Sequence, residues 1–464
     1  LQKELKALEQ QRAEIESNKI YDQAFEWRFE FPALLDEEGN FTGFDIVIGN
    51  PPYVNVQLMS VKEKEQYKKF YESFFKRCDM FCLFLELGLL KLTSEEGIVT
   101  LIIPSVVHSN MSYQKIRNII LNHQWLSEVR YTGGDVFNAP TVDTTILICN
   151  KTGNKNIKLT EAIDFSNPKS HHVPADYFQK YNNVISIGDD KGSDIFNKLF
   201  NPKFDVVGHH YTVFQGIVTG NNPAFIFDTL QDALEKNVDS SILHPLCHGR
   251  DLEKYKVRSR ERRILYIDND VKIDDYPQTK EWILNFKDAL EKRREVKRGV
   301  IDWYGLQWPR VKTELDIKEK IMLQNTRNES LKTRIVATLD DTGIYGTQGI
   351  NFIIPKHSED SLRYLLGILN SKLMNYLFAT KFLNLAIKAE YVKQVKLPIT
   401  SEKQKVQIEE LVNAVLQSKL SDADTSKEES EIDLLVYHLY ALTYDEVLIV
   451  DPETPITREE YEKK

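Results

Sequence analysis

The stretch that decides the fold is Phe44-Asp45-Ile46-Val47-Ile48-Gly49-Asn50-Pro51-Pro52-Tyr53. Its first half is an apolar run rich in Val and Ile, which is typical of a buried strand of a parallel sheet. The prolines end that strand, because two in succession remove two backbone donors and fix two φ angles. Ligands of α/β sheets bind at the carboxyl ends of strands. The corner therefore predicts a site that holds a planar amine against an amide (Asn50), two carbonyls (Pro51, Pro52) and an aromatic ring (Tyr53).

The composition of the 464-residue chain is that of a globular protein with several domains, 42% hydrophobic and 28% charged. No stretch approaches the roughly 18 apolar residues of a membrane span, and no signal peptide is recognisable. We therefore expect a cytoplasmic protein without membrane contact. Four cysteines lack disulfide or metal-ligand spacing, so no metal site is predicted; they are Cys78, Cys82, Cys149 and Cys247.

The charge is distributed unevenly. A formal net charge of −9 excludes indiscriminate binding of nucleic acid by the whole surface. Residues 250–334, however, hold 22 Lys and Arg against 16 Asp and Glu. A basic segment in an acidic chain is typical of a DNA-facing module, although most charge runs are solvated faces.

Strands and helices alternate between residues 25 and 152, which favours a doubly wound α/β fold. A long helix is predicted over residues 61–92, between the first strand and the second. The other predicted elements are strand Ile98–Pro104, helix Tyr113–His123, and strands Leu126–Tyr131 and Thr144–Cys149.

Asn50-Pro51-Pro52-Tyr53 resembles, at all four positions, the catalytic motif of adenine-N6 DNA methyltransferases. The resemblance implies that the Asn50 side chain and the Pro51 carbonyl accept hydrogen bonds from the exocyclic amine, while Tyr53 stacks on the flipped base. Two such acceptors localise the lone pair of a weakly nucleophilic amine towards the methyl donor. The alternative is a simple strand-ending turn, since Asn-Pro is a turn dipeptide in any protein.

Further motifs of that family follow along the chain. Asp79-Met80-Phe81 lies on the predicted helix, and Glu96–Pro104 forms a strand with its closing proline. The loop Gly134-Asp135-Val136-Phe137 precedes the strand Thr144–Ile148. The resemblance assigns Phe137 as a second contact to the flipped base; the alternative is a loop anchor that packs on the sheet.

One part of the family pattern is missing. These enzymes hold S-adenosylmethionine on a Gly-rich loop after their first strand, and no Gly-x-Gly follows a strand upstream of Asn50. The resemblance implies the C-terminal half of a Rossmann-like S-adenosylmethionine-dependent methyltransferase fold. The chain also begins on Leu1, within a predicted helix over residues 1–24. We therefore expect a fragment whose missing N-terminal half, on the same polypeptide, binds the cofactor.

The second half of the chain resembles the target-recognition domain of gamma-order adenine methyltransferases, particularly Type IIG restriction–modification enzymes. The motifs are Gly249-Arg250-Asp251, Leu369-Asn370-Ser371-Lys372-Leu373 and Leu397-Pro398-Ile399. Helices are predicted over residues 403–419 and 429–440. The expected domains are an N-terminal helix (1–24), the methyltransferase half (25–152), an α+β recognition domain (153–400) and a helical C-terminal segment (401–464).

The predicted partner is double-stranded DNA, read by side chains that pair with base edges, Arg or Lys with guanine and Asn or Gln with adenine. A salt bridge or a loop cap is the alternative for each of them. The predicted DNA-binding residues are Arg250, Arg258, Arg310, Arg327 and Gln348. Further candidates are Arg260, Arg262, Arg263, Arg334, Gln307, Asn325 and Asn351.

The recognition half also contains a basic run and a pair of acids that loosely resembles a nuclease signature. Lys292-Arg293-Arg294 with Lys297-Arg298 predicts a basic helix that tracks phosphate, or a solvated face. Asp288 with Glu295-Val296-Lys297 resembles the acid and Glu-x-Lys signature of nucleases only loosely. Both carboxylates are expected on one helix, where they point along one face and do not converge on a metal. We therefore reject a nuclease centre there.

Three functional hypotheses remain. The first is a site-specific adenine-N6 DNA methyltransferase of a Type IIG system. The second is a non-catalytic, sequence-specific DNA-binding module. The third is methylation of an amine on protein or RNA, which the long second domain with its basic segment disfavours. Cofactor binding by the intact protein discriminates the first from the second.

Overall fold

The structure is a computed structural model. The chain divides into two compact units, Leu1–Ile187 and Gly188–Lys464. The helix predicted over residues 1–24 lies outside the described residues. Within the described ranges, no helix combines the length and the apolar character that crossing a bilayer requires. The structure describes residues 27–134, 136, 143–181, 183–185, 187, 193–258, 260–325, 333–380 and 386–463.

A six-stranded mixed sheet forms the first unit, with strand order β1-β2-β4-β3-β5-β6. The pairs β1/β2 and β3/β5 are parallel and the other neighbours are antiparallel. The α/β fold predicted for this half is confirmed. The strands are β1 (Phe44–Gly49), β2 (Thr93–Pro104), β3 (Leu126–Gly133), β4 (Thr144–Asn150), β5 (Asn156–Glu161) and β6 (Lys169–Pro174).

The helix predicted over residues 61–92 is wrong in its middle, where the chain leaves the helical path. The Glu86 carboxylate accepts the backbone N–H groups of Glu72 and Ser73 at 2.9 and 2.7 Å. These bonds hold the chain in an extended loop between two helices. The helices of this unit are Trp27–Glu30, Val61–Phe70, Met80–Leu87 with a π turn at Gly88–Leu92, and Gln114–Asn122. Single 3-10 turns lie at Pro32–Leu34, Val56–Leu58, Ser105–His108, Met111–Tyr113 and Tyr177–Tyr181.

The two faces of this sheet differ in burial. Val99, Leu101 and Leu147 lie on the face that is covered by the helices Met80–Leu87 and Gln114–Asn122. They are buried in one core with residues of both helices. On the opposite face, Ile46 and Ile48 of β1 are 62% and 79% exposed. A doubly wound sheet needs cover on both faces, and the described residues cover one of them.

The end of the first unit differs from the expected boundary at residue 152. β5 pairs in parallel with β3, and its Ile157 and Leu159 are buried in the core of the sheet. The residues after 152 therefore continue the first sheet, and the unit runs to Ile187. A polar linker followed by a short strand gives no sequence signal that the strand rejoins the preceding sheet.

The second unit is α+β, as predicted. Two four-stranded sheets, ordered β16-β10-β13-β9 and β15-β14-β17-β8, are accompanied by the pairs β11-β12 and β18-β7. The strands are β7 (Asp205–Val206), β8 (Tyr211–Gln215), β9 (Ile226–Phe227), β10 (Leu243–Cys247), β11 (Leu252–Glu253), β12 (Lys256–Val257), β13 (Arg263–Leu265), β14 (Lys320–Gln324), β15 (Ala337–Asp340), β16 (Tyr345–Gly346), β17 (Ile350–Pro355) and β18 (Lys396–Leu397).

The helices of the second unit are mostly short until residue 362. Single 3-10 turns lie at Ser240–Ile242, Gly249–Asp251 and Ile273–Asp275. The α-helices are Ser193–Leu199, Val207–His210, Asn222–Phe225, Leu230–Glu235, Pro277–Leu284, Lys287–Leu290, Arg294–Lys297, Lys312–Leu315, Leu362–Asn370, Lys372–Thr380, Ala389–Lys393, Glu402–Leu420, Ser426–Leu439, Tyr444–Val450 and Arg458–Glu462.

The C-terminal helices pack into the second unit and do not form a separate one. Gly367 of helix Leu362–Asn370 lies so close to helix Glu402–Leu420 that an added Cβ would stand 2.7 Å from Ile408. Asn370 completes this packing, because its amide exchanges two hydrogen bonds with the backbone of Ala337, at 3.0 and 2.9 Å. The Leu-Asn-Ser-Lys motif thus ties the helices to β15.

Candidate catalytic corner and DNA-reading cleft

The corner after β1 presents one unengaged amide. Asn50 is exposed, and its side chain has no hydrogen-bond partner among the described residues. Pro51 is buried beside it. Tyr53 is half-buried, and its hydroxyl donates to the Ile102 carbonyl of β2 at 3.0 Å. The corner therefore holds the aromatic ring in place and leaves the amide available to a ligand.

Asp79 fixes the chain that follows the corner. Its carboxylate accepts hydrogen bonds from the Asn55 amide at 2.9 Å and from the Tyr113 hydroxyl at 2.6 Å. Two residues further on, the Phe81 ring meets Tyr53 edge to face, with centroids 6.4 Å apart. The segment that begins at Asp79 thus packs against the corner and helps to hold the Tyr53 ring in place. Sequence reasoning missed Asn55 and Tyr113, because only the folded chain brings them to this carboxylate.

Phe137 lies outside the described residues, so its predicted contact to a flipped base stays a prediction. The two ends of its loop are described. At the far end, the Asp143 carboxylate accepts a hydrogen bond from the Tyr131 hydroxyl at 3.1 Å. The Asp143 carbonyl accepts the N–H of Ser105, just after β2, at 2.8 Å.

His108 is a buried histidine near the carboxyl end of β2. Its Nε2 has no hydrogen-bond partner within the described part of the chain. Burial, together with the nearby Arg117 guanidinium, lowers the pKa of His108 from 6.5 to about 3. Arg117 is itself buried and donates to the carbonyls of Val107, Asn110 and Asn183. The imidazole is therefore neutral at physiological pH and serves the packing.

This burial predicts acid sensitivity of the first unit. Below pH 6.5 the unfolded chain takes up a proton at His108 that the folded chain refuses, so stability falls as the pH drops towards 3. Between pH 7 and pH 5 the loss of unfolding free energy from this residue is about 2 kcal/mol. We expect the His108→Leu variant to lose this pH-dependent part of the unfolding free energy, measured by chemical denaturation at pH 7 and pH 5. The His172→Leu variant, which replaces an exposed histidine, should keep it. An equal pH dependence in His108→Leu and the wild type contradicts the assignment.

The second unit contains a polar cleft that brings three loops together. Its cavity volume is about 690 Å³, and it is lined among others by Gln215, His248, Arg250, Asn325, Thr347 and Gln348. A second cavity of about 620 Å³ shares His248, Thr347 and Gln348 and extends to the loop after Val218. We call the two together the polar cleft.

Glycines allow the loops of the polar cleft to approach each other. A Cβ added at Gly249 would lie 2.5 Å from the Gly349 carbonyl oxygen. One added at Gly216 would lie 2.3 Å from the Thr347 carbonyl oxygen. Both oxygens belong to the backbone, so larger side chains would force the loops apart.

Two of the predicted DNA-binding residues, Arg250 and Gln348, lie in the polar cleft. Both are exposed, and neither side chain has a hydrogen-bond or ion-pair partner in the described part of the chain. Asn325 also lines the cleft, but its amide donates to the Gln348 carbonyl at 3.0 Å and supports the loop. The structure thus brings together residues that are 98 positions apart in sequence.

Arg310 and Arg258 are engaged elsewhere. The Arg310 guanidinium points inward and donates to the Gly216 carbonyl at 2.9 Å, and burial lowers its pKa. Arg258 pairs with Glu253 at the surface. In the fold Arg310 supports the cleft loop, and its predicted contact to DNA stays a prediction. Arg327 lies outside the described residues, and its prediction stays a prediction.

The additional candidates are also largely engaged within the fold. Asn351 is buried and donates to the Ile387 carbonyl. Gln307 donates to Glu295 at 2.9 Å. The four arginines are engaged or buried as well. Arg260 donates to the Thr342 hydroxyl, and Arg262 pairs with Asp251. Arg263 donates to the carbonyls of residues 260–262, and Arg334 is buried.

The predicted basic helix is interrupted. Residues 287–290 and 294–297 form two single-turn helices. Arg293 lies between them, and its guanidinium donates to the carbonyls of Leu290, Thr219 and Trp303 at 3.0, 3.1 and 2.7 Å. This residue braces three segments and does not face solvent as a phosphate contact. Asp288 and Glu295 consequently lie on different helices. In the described ranges, no three His, Cys, Asp or Glu side chains are grouped so that they could hold a metal.

Two different family models match the two halves of the chain. Residues 1–137 match the Eco57I restriction–modification methylase family, and residues 244–399 match the TaqI-like C-terminal specificity domain. The two matches together cover more than half of the chain. Along both halves, the chain is similar to Type II restriction–modification methyltransferases. The resemblance identified from the sequence is thereby confirmed.

Two curated relatives align along most of the chain. A Methanocaldococcus jannaschii protein named as a type II restriction enzyme and methyltransferase is 27% identical over 437 residues, 90% of this chain and 32% of the relative. The type II methyltransferase M.BstVI of Geobacillus stearothermophilus is 23% identical over 461 residues, 92% of this chain and 78% of the relative. The chain thus spans about a third of the length of the first of these relatives.

A solved structure shares the fold. The Type IIL restriction–modification enzyme MmeI, solved in complex with DNA, superposes with a TM-score of 0.62 at 12% identity. The match covers 91% of this chain and 58% of MmeI. At this identity the likeness concerns the fold alone.

Proposed function

We propose that the intact protein is a site-specific adenine-N6 DNA methyltransferase of a Type IIG restriction–modification system. The observation that carries the proposal is the corner after β1. There Asn50 keeps its amide unengaged at the carboxyl end of a parallel strand, while Tyr53 is anchored to β2. The match of residues 1–137 to a methylase family supports it.

The corner acts on the target amine by hydrogen bonding. The Asn50 Oδ1 and the Pro51 carbonyl accept the two N–H groups of the adenine amine, which localises the nitrogen lone pair away from the ring. The Tyr53 ring stacks on the flipped base and offsets part of the unstacking cost, with Phe137 as the second contact. No strong base is needed before the methyl group is attached, because the amine attacks in its neutral form.

S-adenosylmethionine supplies the methyl group in the intact protein. The described residues do not fit the whole of this cofactor, since they contain no Gly-rich loop between a strand and a helix. The exposed Ile46 and Ile48 support a missing half that covers the open face of the sheet. The 464-residue chain is accordingly proposed as a fragment that lacks the cofactor-binding half and is inactive alone.

Double-stranded DNA is the proposed partner of the second unit. The TaqI-like specificity domain match covers residues 244–399 and includes Arg250 and Gln348 of the polar cleft. Their guanidinium and amide, which have no partner in the part of the unit that the structure describes, are groups that base-edge reading uses.

The test compares the intact protein with the 464-residue chain. We expect the intact protein to transfer labelled methyl groups from S-adenosylmethionine to duplex DNA, with N6-methyladenine as the product identified by mass spectrometry. We expect the chain alone to bind DNA but to show no cofactor binding by calorimetry. Methylation of cytosine, RNA or protein in place of adenine would refute the proposal.

The second candidate function is a non-catalytic, sequence-specific DNA-binding module. It is favoured by one observation, the lack of a cofactor-holding loop among the described residues. An intact protein that binds specific DNA but neither binds nor consumes S-adenosylmethionine would establish it.

A further inference from the structure

Arg250 retains an uncompensated positive charge at the polar cleft. It lies in the 3-10 turn Gly249–Asp251, whose acid is already engaged. The Asp251 carboxylate accepts the His248 N–H at 2.7 Å and pairs with the Arg262 guanidinium at 2.7 Å. Because Arg262 neutralises the neighbouring acid, the Arg250 guanidinium keeps all of its donors for a ligand.

Gln348 combines a fixed backbone with an unengaged side chain. Its carbonyl accepts the Gln215 amide at 2.9 Å and the Asn325 amide at 3.0 Å, and its N–H donates to the Ile217 carbonyl at 2.9 Å. Three hydrogen bonds therefore fix the main chain from which the exposed amide projects. Such support from neighbouring residues is what a precise reading position requires.

We propose that Arg250 reads a guanine and Gln348 reads an adenine in the recognition sequence, from the major groove. This inference rests on the proposed function, because it requires duplex DNA as the partner. The guanidinium fork matches the O6 and N7 acceptors of guanine, and the Gln amide matches the N7 acceptor and N6 donor of adenine. Gln215 and Asn325 are positioning residues, since they act through the Gln348 backbone.

Arg250 and Gln348 differ from Arg258 and Arg310 because their side chains have no partner among the residues that the structure describes. Arg258 pairs with Glu253, and Arg310 is bonded to the Gly216 carbonyl. Those guanidinium groups would have to break an existing interaction before they could bind a base. Arg250 and Gln348 need no such rearrangement, which lowers the free-energy cost of binding.

The experiment selects bound sequences from a random duplex library with the 464-residue chain and sequences them. In the wild type we expect a defined motif. In the motif selected by Arg250→Ala, the preference for the wild-type base at one G·C position should fall about 10- to 100-fold. In the motif selected by Gln348→Ala, the preference at one A·T position should fall by a similar factor. In Gln348→Glu the same position should change from adenine towards cytosine, because a carboxylate accepts from the cytosine N4 amine.

Arg458→Ala is the matched control, since it removes an exposed arginine of the same unit that pairs with Asp445 and Glu462 outside the cleft; its motif should match that of the wild type. A uniform fall in affinity with an unchanged motif in Arg250→Ala and Gln348→Ala would overturn the inference and assign both residues to phosphate. A wild-type chain that selects no sequence would overturn it as well. Methylation by the intact protein is measured separately, so failure of the methyltransferase proposal is distinguishable from failure of this one.

Discussion

Replacing Asn50 by Ala is expected to reduce the methylation turnover of the intact protein by about 100- to 1,000-fold, the scale measured when one polar group that stabilises a transition state is removed. The Asn50 amide is exposed and has no partner among the described residues, so the substitution removes no internal hydrogen bond. Stability should therefore be unchanged. DNA affinity should also persist, because the polar cleft lies in the second unit.

The measurement is single-turnover methylation of a short duplex, with DNA binding and thermal unfolding of the same variant. Asn167 offers a matched control, since it is an exposed asparagine of the same unit whose side chain has no hydrogen-bond partner in the described ranges. Asn167→Ala should retain wild-type turnover. An Asn50→Ala protein that keeps more than about a tenth of wild-type turnover would contradict the role, because it would place the amide outside the reaction.

Replacing Asp79 by Ala should reduce turnover by about 100-fold although this side chain touches no substrate in the proposed mechanism. Its carboxylate holds Asn55 and Tyr113, and the adjoining Phe81 supports Tyr53. Displacing a positioned group by about 1 Å costs a factor of this size. Two donors also lose their acceptor, so we expect the unfolding free energy to fall by about 1–3 kcal/mol.

Tyr113→Phe separates the positioning role of Asp79 from a loss of folding. It removes one of the two hydrogen bonds to the carboxylate and keeps the ring, so turnover should fall in the same direction but by less. The readout is kcat and KM measured separately, with a loss in kcat expected for both variants. An Asp79→Ala protein that loses stability but keeps its kcat would show that the carboxylate serves folding alone.

Several features of the first unit were predictable because they depend on local sequence. The apolar strand and the prolines after it define β1 and its corner, and the same reasoning placed β2, β3 and β4 within a few residues of their observed bounds. The break in the helix at Ser73 was not predictable. It depends on the Glu86 carboxylate, which lies 13 residues further along and returns to this segment only in the folded chain.

The arginines of the recognition domain show the same limit. Sequence offered Arg250 and Arg310 as equivalent DNA contacts. In the fold, Arg310 is bonded to the Gly216 carbonyl, whereas Arg250 has no partner among the described residues because Arg262 pairs with Asp251. The orientation of a long side chain depends on which acceptors the tertiary structure brings near it, and these acceptors are far away in sequence.

The sequence by itself determined the family resemblance, the α/β class of the first unit and the position of the candidate corner, since a strand, two prolines and a motif are properties of consecutive residues. The tertiary structure alone decided three other matters. It assigned the residues after 152 to the first sheet, exposed Ile46 and Ile48 on its open face, and brought Arg250 and Gln348 into one cleft. Each of these depends on long-range pairing of the backbone, whose partners no local pattern specifies.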